Sequence, residues 1–132
     1  KNRCKQSNLA TYYGLVEDKT RNKLLERAKA MVCMKDGGYE EIFGLMAVEA
    51  LACGTPVICA RSWGFEDIIE HGKTGLLCDN FDQVVEAIRA VASGTVRFDP
   101  LACRAGAERF KRSVVTKTLE KTLKSVVSGC RW

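Results

Sequence analysis

Gly37-Gly38-Tyr39-Glu40-Glu41-Ile42-Phe43-Gly44-Leu45-Met46-Ala47-Val48-Glu49-Ala50-Leu51-Ala52-Cys53-Gly54-Thr55-Pro56 is the stretch that decides the fold. An apolar run from Ala30 to Met34 precedes it, and a second from Pro56 to Ala60 follows. Between them an acidic, glycine-rich loop leads into an apolar segment from Leu45 to Cys53, which Gly54 and Pro56 stop. Strand, loop, helix and strand in this order form the βαβ unit of a parallel sheet.

In such sheets ligands gather beyond the carboxyl ends of the strands, where helix N-termini present unpaired N–H groups. Gly44 stands where the helix should begin. Without a Cβ it lets an anion come close to the backbone. The loop from Gly37 through Gly38 to Gly44 therefore reads as a phosphate cradle. Glu41 falls in that loop. Glu49 falls two turns into an otherwise apolar helix, where a lone carboxylate is costly to bury and needs a partner. Sugar hydroxyls suit it, because an ionised carboxylate accepts hydrogen bonds at both oxygens.

Outward from this unit the alternation continues. Lys1 to Asn8 is a polar, basic lead-in. Leu9 to Tyr13, rich in β formers and closed by Gly14, is predicted to be a strand. Asp18 is predicted to cap a helix to about Lys29, with Leu24, Leu25 and Ala28 at helical spacing. After Ala60 a second loop, Arg61 to Asp67, lies on the same sheet edge and opens a short helix predicted from Glu66 to Glu70. His71, the single histidine, sits in a glycine turn and reads as a surface residue rather than a catalytic base. A short strand from Leu76 to Cys78 follows. Asp82 is predicted to cap a helix with Val84, Val85, Ile88 and Val91 on one face, closed by Ser93-Gly94. Pro100 starts a helix to about Phe110. A last helix, opened by Ser113 or Thr116, carries the stripe Val115, Leu119, Leu123 and Val126, expected to pack on the chain's own sheet. The fold class is α/β: a Rossmann-like three-layer α/β/α sandwich with a parallel sheet.

The chain's 132 residues suffice for one domain with its own core. Hydrophobic residues at 46% and charged residues at 28% are ordinary for a soluble globular protein. Nothing resembles a signal peptide or a membrane span. A net charge of +5 favours phosphate-bearing ligands or an anionic surface. No basic run interleaved with aromatics points to nucleic acid. Seven cysteines, an odd number, argue against a disulfide framework, and with no C-x-x-C pair no metal is expected. Cys33, Cys53, Cys59 and Cys78 read as small buried hydrophobes, and Cys4, Cys103 and Cys130 as exposed thiols. This usage fits a reducing compartment, so a cytoplasmic location is expected. The chain begins at Lys1, not Met, and is expected to be a piece of something longer.

The ordered string Glu41-Ile42-Phe43-Gly44-Leu45-x-x-x-Glu49-Ala50-Leu51-Ala52-Cys53-Gly54-Thr55-Pro56-Val57-Ile58 resembles the E-x7-E signature of retaining GT-B glycosyltransferases, family 4 in particular. The turn from Gly72 to Leu76 resembles the family's G-x-T-G-x-L segment. The resemblance covers about Leu9 to Phe110. It implies the C-terminal domain of such an enzyme, which binds a nucleotide-diphosphate sugar as donor substrate and needs no other cofactor. It implies Glu41 at the donor sugar, the backbone of Phe43, Gly44 and Leu45 near the phosphates, and Glu49 on the ribose hydroxyls. Leu45 would also meet the base or ribose face. The family's second loop often reads x-x-G-G-x-x-E, and Ser62, Trp63 and Gly64 fall there. Gly64 matches one glycine, while Trp63 replaces the other. Trp63 is expected either to shape the sugar pocket or to pack on a neighbouring helix.

Two parts of the family pattern are missing. Such a domain normally opens with a Gly-Arg segment and then a Lys-Gly, cations that neutralise the departing diphosphate, and nothing in Lys1 to Asn8 matches them. The N-terminal domain that holds the acceptor is also missing. A helix N-terminus supplies about 0.3–1 kcal/mol when exposed and up to about 2 when buried. Enzymes lower barriers by about 8–23 kcal/mol. The expectation is thus a truncated donor-binding domain, spanning 1–132, whose parent is a transferase and which is inactive alone. It is also expected to self-associate through the bared sheet edge. The alternatives are a non-catalytic nucleotide-sugar-binding or interaction module, or another GT-B-fold enzyme such as a nucleotide-sugar epimerase.

Overall fold

The computed structural model describes residues 8–34 and 42–129, the side chain of Trp63 excepted. In chain order the elements are α1 (Asp18–Arg27), β1 (Met31–Cys33), α2 (Leu45–Ala52), β2 (Val57–Ala60), α3 (Trp63–Glu66), β3 (Gly75–Cys78), α4 (Phe81–Ser93) and α5 (Pro100–Ala107). A 3₁₀ turn (Glu108–Phe110) and α6 (Arg112–Gly129) end the described chain. The three strands pair in parallel in the order β1-β2-β3, with Val57 opposite both Met31 and Gly75.

Alternation along the central strand builds the layers. Val57 and Cys59 point to one face, where they join Ala47, Ala50 and Leu51 of α2, Cys103 and Ala107 of α5, and Leu25 of α1. Ile58 points to the other face and meets Val84, Ala87 and Val91 of α4. A strand covered on both faces reads as a continuous apolar run, which is why Val57-Ile58-Cys59 has no polar position. Burial, with smaller contributions from Cys33 and Cys78, pushes the Cys59 thiol up to about 12, so it stays neutral and acts as a small hydrophobe. Helix α4 covers β2 and β3 but not β1, and Val32 on that side is left 43% exposed. The cleft beside it, about 140 Å³, is lined by Val32, Ile58, Ile88 and Val91.

Several expectations are corrected. Residues 9–13 form no strand, and Tyr12 and Tyr13 are exposed. Strand preference is a preference for packing on a sheet, and no described strand lies beside this run. Helix α1 begins one residue after Glu17, so Asp18 sits in the first turn rather than capping it. There it still meets the positive end of the helix. Asn80, not Asp82, caps α4, its side chain accepting from the Gln83 N–H at 2.9 Å. The short helix starts earlier than residue 66 because the Ser62 carbonyl accepts from the N–H groups of Phe65 and Glu66. Cys103 is fully buried, where the polar neighbours in sequence suggested a free thiol. The small side chains of α5 let it pack tightly against α2. Cys53 is half-buried. Cys4 and Cys130 lie outside the described residues. Finally, α6 does not pack on the sheet: it buries none of its side chains, and Val115, Leu119, Leu123 and Val126 stay exposed.

Candidate donor-binding edge

The topology settles where the helix N-termini lie. Each helix between two parallel strands runs back antiparallel to them, so the N-termini of α2 and α3 sit at the edge where the strands end. Helix α1 leads into β1 and runs the same way, which brings its first turn to this edge too. The edge therefore gathers Gly44, Ser62, Gly64, the first turn of α1 and the carboxyl ends of all three strands.

Gly44 is buried and adopts φ 63°, ψ 50° immediately before α2. This left-handed conformation is strained for any residue with a Cβ, so the glycine is required at the turn itself. Leu45 is 61% exposed beside it, presenting an apolar surface to solvent. The ring of Phe43 stands edge-on to Phe110 at 5.7 Å and 78°. Arg109 lies over the other ring of that pair, 4.7 Å from the Phe110 centroid, and donates to the Asp67 and Ile68 carbonyls. Phe43 is thus tied to the far end of the chain's core, with its backbone left at the edge.

Glu49 lies in the second turn of α2, and its carboxylate has found a protein partner. Arg21 Nη2 stands 3.2 Å from Glu49 Oε1, and Arg21 Nη1 stands 3.2 Å from Asp18 Oδ1. The Arg21 and Glu49 side chains are 38% and 31% exposed, so the pair sits in a half-open position. Arg21 Nε is buried with no hydrogen-bond partner among the described residues. Such an orphan costs about 1–3 kcal/mol. Ser62 Oγ is a second buried polar atom with no partner among the described residues. Beside it Arg61 bonds to Asp79 Oδ1 at 2.6 Å and to Glu66 Oε1 at 3.0 Å, fastening the ends of β2 and β3 together. Arg21 and Arg61 are both turned onto carboxylates.

The structure brings Phe43, Gly44, Leu45, Glu49, Ser62 and Gly64 to one edge. Gly64 falls inside α3, not in a loop. Glu41 and Gly38 lie outside the described residues, as does the side chain of Trp63. Sequence reasoning missed Arg21, although a signal was present. Arg21 lies one helical turn before Leu25, whose side chain packs in the core beside α2. A cation at that spacing is aimed at the same neighbour.

His71 lies at the opposite edge, before β3, where its Nδ1 accepts from the Leu77 N–H at 3.1 Å. A groove of about 570 Å³ also opens at that far edge. Its cations are used on helix ends: Lys29 donates to the Ala92 carbonyl at 2.7 Å, Arg97 to Gly94 at 3.2 Å and Arg104 to Cys53 at 3.3 Å. They neutralise the negative ends of helices rather than wait for a ligand.

Residues 2–102 match the family described as glycosyl transferases group 1. The chain belongs to this family. Among curated relatives, group 1 similarity extends to D-inositol 3-phosphate glycosyltransferase 1 of Catenulispora acidiphila, 44% identical over 97 residues, which are 69% of this chain and 23% of that protein. The D-inositol 3-phosphate glycosyltransferase of Corynebacterium jeikeium is 52% identical over 44 residues, 33% of this chain and 10% of that protein. N-acetyl-alpha-D-glucosaminyl L-malate synthase of Bacillus anthracis is 38% identical over 69 residues, 52% of this chain and 17% of that protein. The chain thus spans less than a quarter of the length of these relatives. Among solved structures, Anabaena Alr3699/HepE in complex with UDP-glucose superposes with a TM-score of 0.67 at 21% identity, covering 94% of this chain and 34% of that one. The same protein with UDP and glucose gives a TM-score of 0.68, again at 21% identity and over the same shares. The likeness is one of fold, the Rossmann-like parallel sheet with flanking helices of GT-B glycosyltransferases.

Proposed function

We propose that this chain is the donor-binding domain of a retaining glycosyltransferase that takes a nucleotide-diphosphate sugar. The observation that carries the reading is the meeting of Gly44, Glu49 and Ser62 at the strand-end edge of a group 1 domain. The similar Anabaena structure holds UDP-glucose, which supports a donor of this chemical class. In this reading the α2 N-terminus around Phe43, Gly44 and Leu45 receives the diphosphate, Gly38 continues the cradle, and Glu49 accepts hydrogen bonds from the ribose hydroxyls. Glu41 faces the sugar, and Ser62, Trp63 and Gly64 line its other side. The orphan Ser62 hydroxyl gains a partner there.

In the reaction the bond from the anomeric carbon to the diphosphate oxygen breaks. An acceptor hydroxyl oxygen bonds to that carbon with retention, and its proton ends on the departing diphosphate. The acceptor is held by an N-terminal domain of the parent protein, so the 132-residue chain alone is expected to yield no product in a turnover assay. Titration with UDP-, GDP- and ADP-sugars, followed by amide chemical shifts, tests the binding claim. One nucleotide series should perturb residues 43–49 and 62–64, and Glu49→Ala should weaken it about tenfold or more, the loss expected when hydrogen bonds to a charged group go. Shifts confined to the far-edge groove would end this reading. If no sugar nucleotide binds while the fold is intact, the non-catalytic interaction module is favoured, as the two engaged arginines suggest.

Self-association through the β1 side of the sheet belongs to the same proposal, supported by the exposure of Val32 above its apolar cleft. Sedimentation velocity at rising concentration should show a dimer that Val32→Lys removes. A monomer at every concentration counts against it.

A further inference from the structure

We infer that Arg21 positions the donor's ribose by holding Glu49, an assignment that rests on the donor-site reading above. Arg21 comes from α1 and Glu49 from α2, and their shared location at the strand-end edge follows from the direction of both helices. The guanidinium is gripped from two sides. Asp18, one turn back on its own helix, takes Nη1, and Glu49 takes Nη2. The ion pair runs through Oε1 of Glu49, whose side chain is 31% exposed. The pair holds Glu49 from one side while its side chain stays partly open to solvent. That is the arrangement a vicinal diol needs, since two neighbouring hydroxyls donate in parallel to a carboxylate held in one plane.

The arginine's own geometry points the same way. Its Nε–H is buried without an acceptor among the described residues, so the guanidinium is oriented by the two carboxylates rather than by its own best satisfaction. A fork is required for this. Lysine offers a point charge and cannot grip Asp18 and Glu49 at once in fixed geometry. Arg21 touches neither the sugar nor the phosphates in this scheme; it acts through Glu49.

The plainer role, a tie between α1 and α2, predicts lost stability with no change in which nucleotides bind. The two roles separate on the 2′-hydroxyl. UDP and 2′-deoxy-UDP are titrated against the chain, Arg21→Met, Arg21→Lys, Glu49→Gln and the double variant Arg21→Met/Glu49→Gln, with fold checked by amide spectra. Arg21→Met should weaken UDP about tenfold and 2′-deoxy-UDP less than about twofold, so that the preference for the full ribose falls. Glu49→Gln should do the same, and the double variant should be no worse than Glu49→Gln alone. Arg21→Lys, which keeps the charge between the helices, should keep the fold and still lose preference. Equal weakening of both nucleotides by Arg21→Lys or Arg21→Met, or an unchanged preference, overturns the assignment. A loss with Glu49→Gln and none with either Arg21 variant removes Arg21 alone. UDP binding that is indifferent to Glu49 as well removes the donor site with it.

Discussion

Gly75→Ala is expected to lower the melting temperature by about 10 °C. Gly75 pairs with Val57 across the β2–β3 ladder. A Cβ at this position would stand 2.0 Å from the Val57 carbonyl oxygen and 3.0 Å from both its carbonyl carbon and its nitrogen. All three are backbone atoms of the central strand, so no flexible side chain can swing aside. The glycine has no positive φ to explain it. What it supplies is room for two backbones to approach. Overpacking costs about 1–3 kcal/mol where neighbours can adjust, and here adjustment means opening the ladder, which places the loss near about 3 kcal/mol. Thermal circular dichroism checks it. A variant melting within a degree or two of the parent would show that Val57 and Gly75 are not paired in this register.

Leu51→Ala should cost about 3–4 kcal/mol. Leu51 is fully buried at the centre of the larger core, where α2 meets β2 and α5. A Cβ placed on Gly106 of α5 would lie 3.9 Å from Leu51 Cδ1. The two helices are therefore already at contact distance and cannot close further to fill a void. A site that cannot collapse keeps its cavity, which puts the loss toward the upper part of the usual 2–5 kcal/mol range. Urea unfolding should show a lower midpoint at unchanged slope, the sign of lost stability without a changed unfolded state. A stability loss below about 1 kcal/mol would mean that α2 packs elsewhere.

The β1-α2-β2 unit was legible because its signals are local and agree. Apolar runs too short for helices flank a helix whose stops, Gly54 and Pro56, act on the backbone directly. Gly94 and Pro100 marked helix ends for the same reason, since their effect depends little on tertiary context. Residues 9–13 were misread because β-branched and aromatic residues report a packing preference, and packing is decided by distant partners. Cys103 was misread likewise: Arg104 follows it in sequence, but the helix turns Cys103 toward the core together with Gly106 and Ala107. Asn80 and Asp82 both carry side chains able to cap α4, and only backbone geometry chooses between them. At the site, the need of Glu49 for a partner could be argued from its apolar surroundings. The choice of Arg21 among the several cations of α1 could not, because it depends on how two helices cross.

The last helix carries a separate thermodynamic consequence. At 18 residues α6 is about 27 Å long, and it meets the body chiefly through the 3₁₀ turn at its base. Helices in proteins draw most of their stability from packing an apolar face, and α6 buries none of its side chains. The cooperative folding unit therefore closes near Phe110. Beyond it the chain melts on its own schedule, so heat absorption is spread over two events, and only the second reports on the sheet.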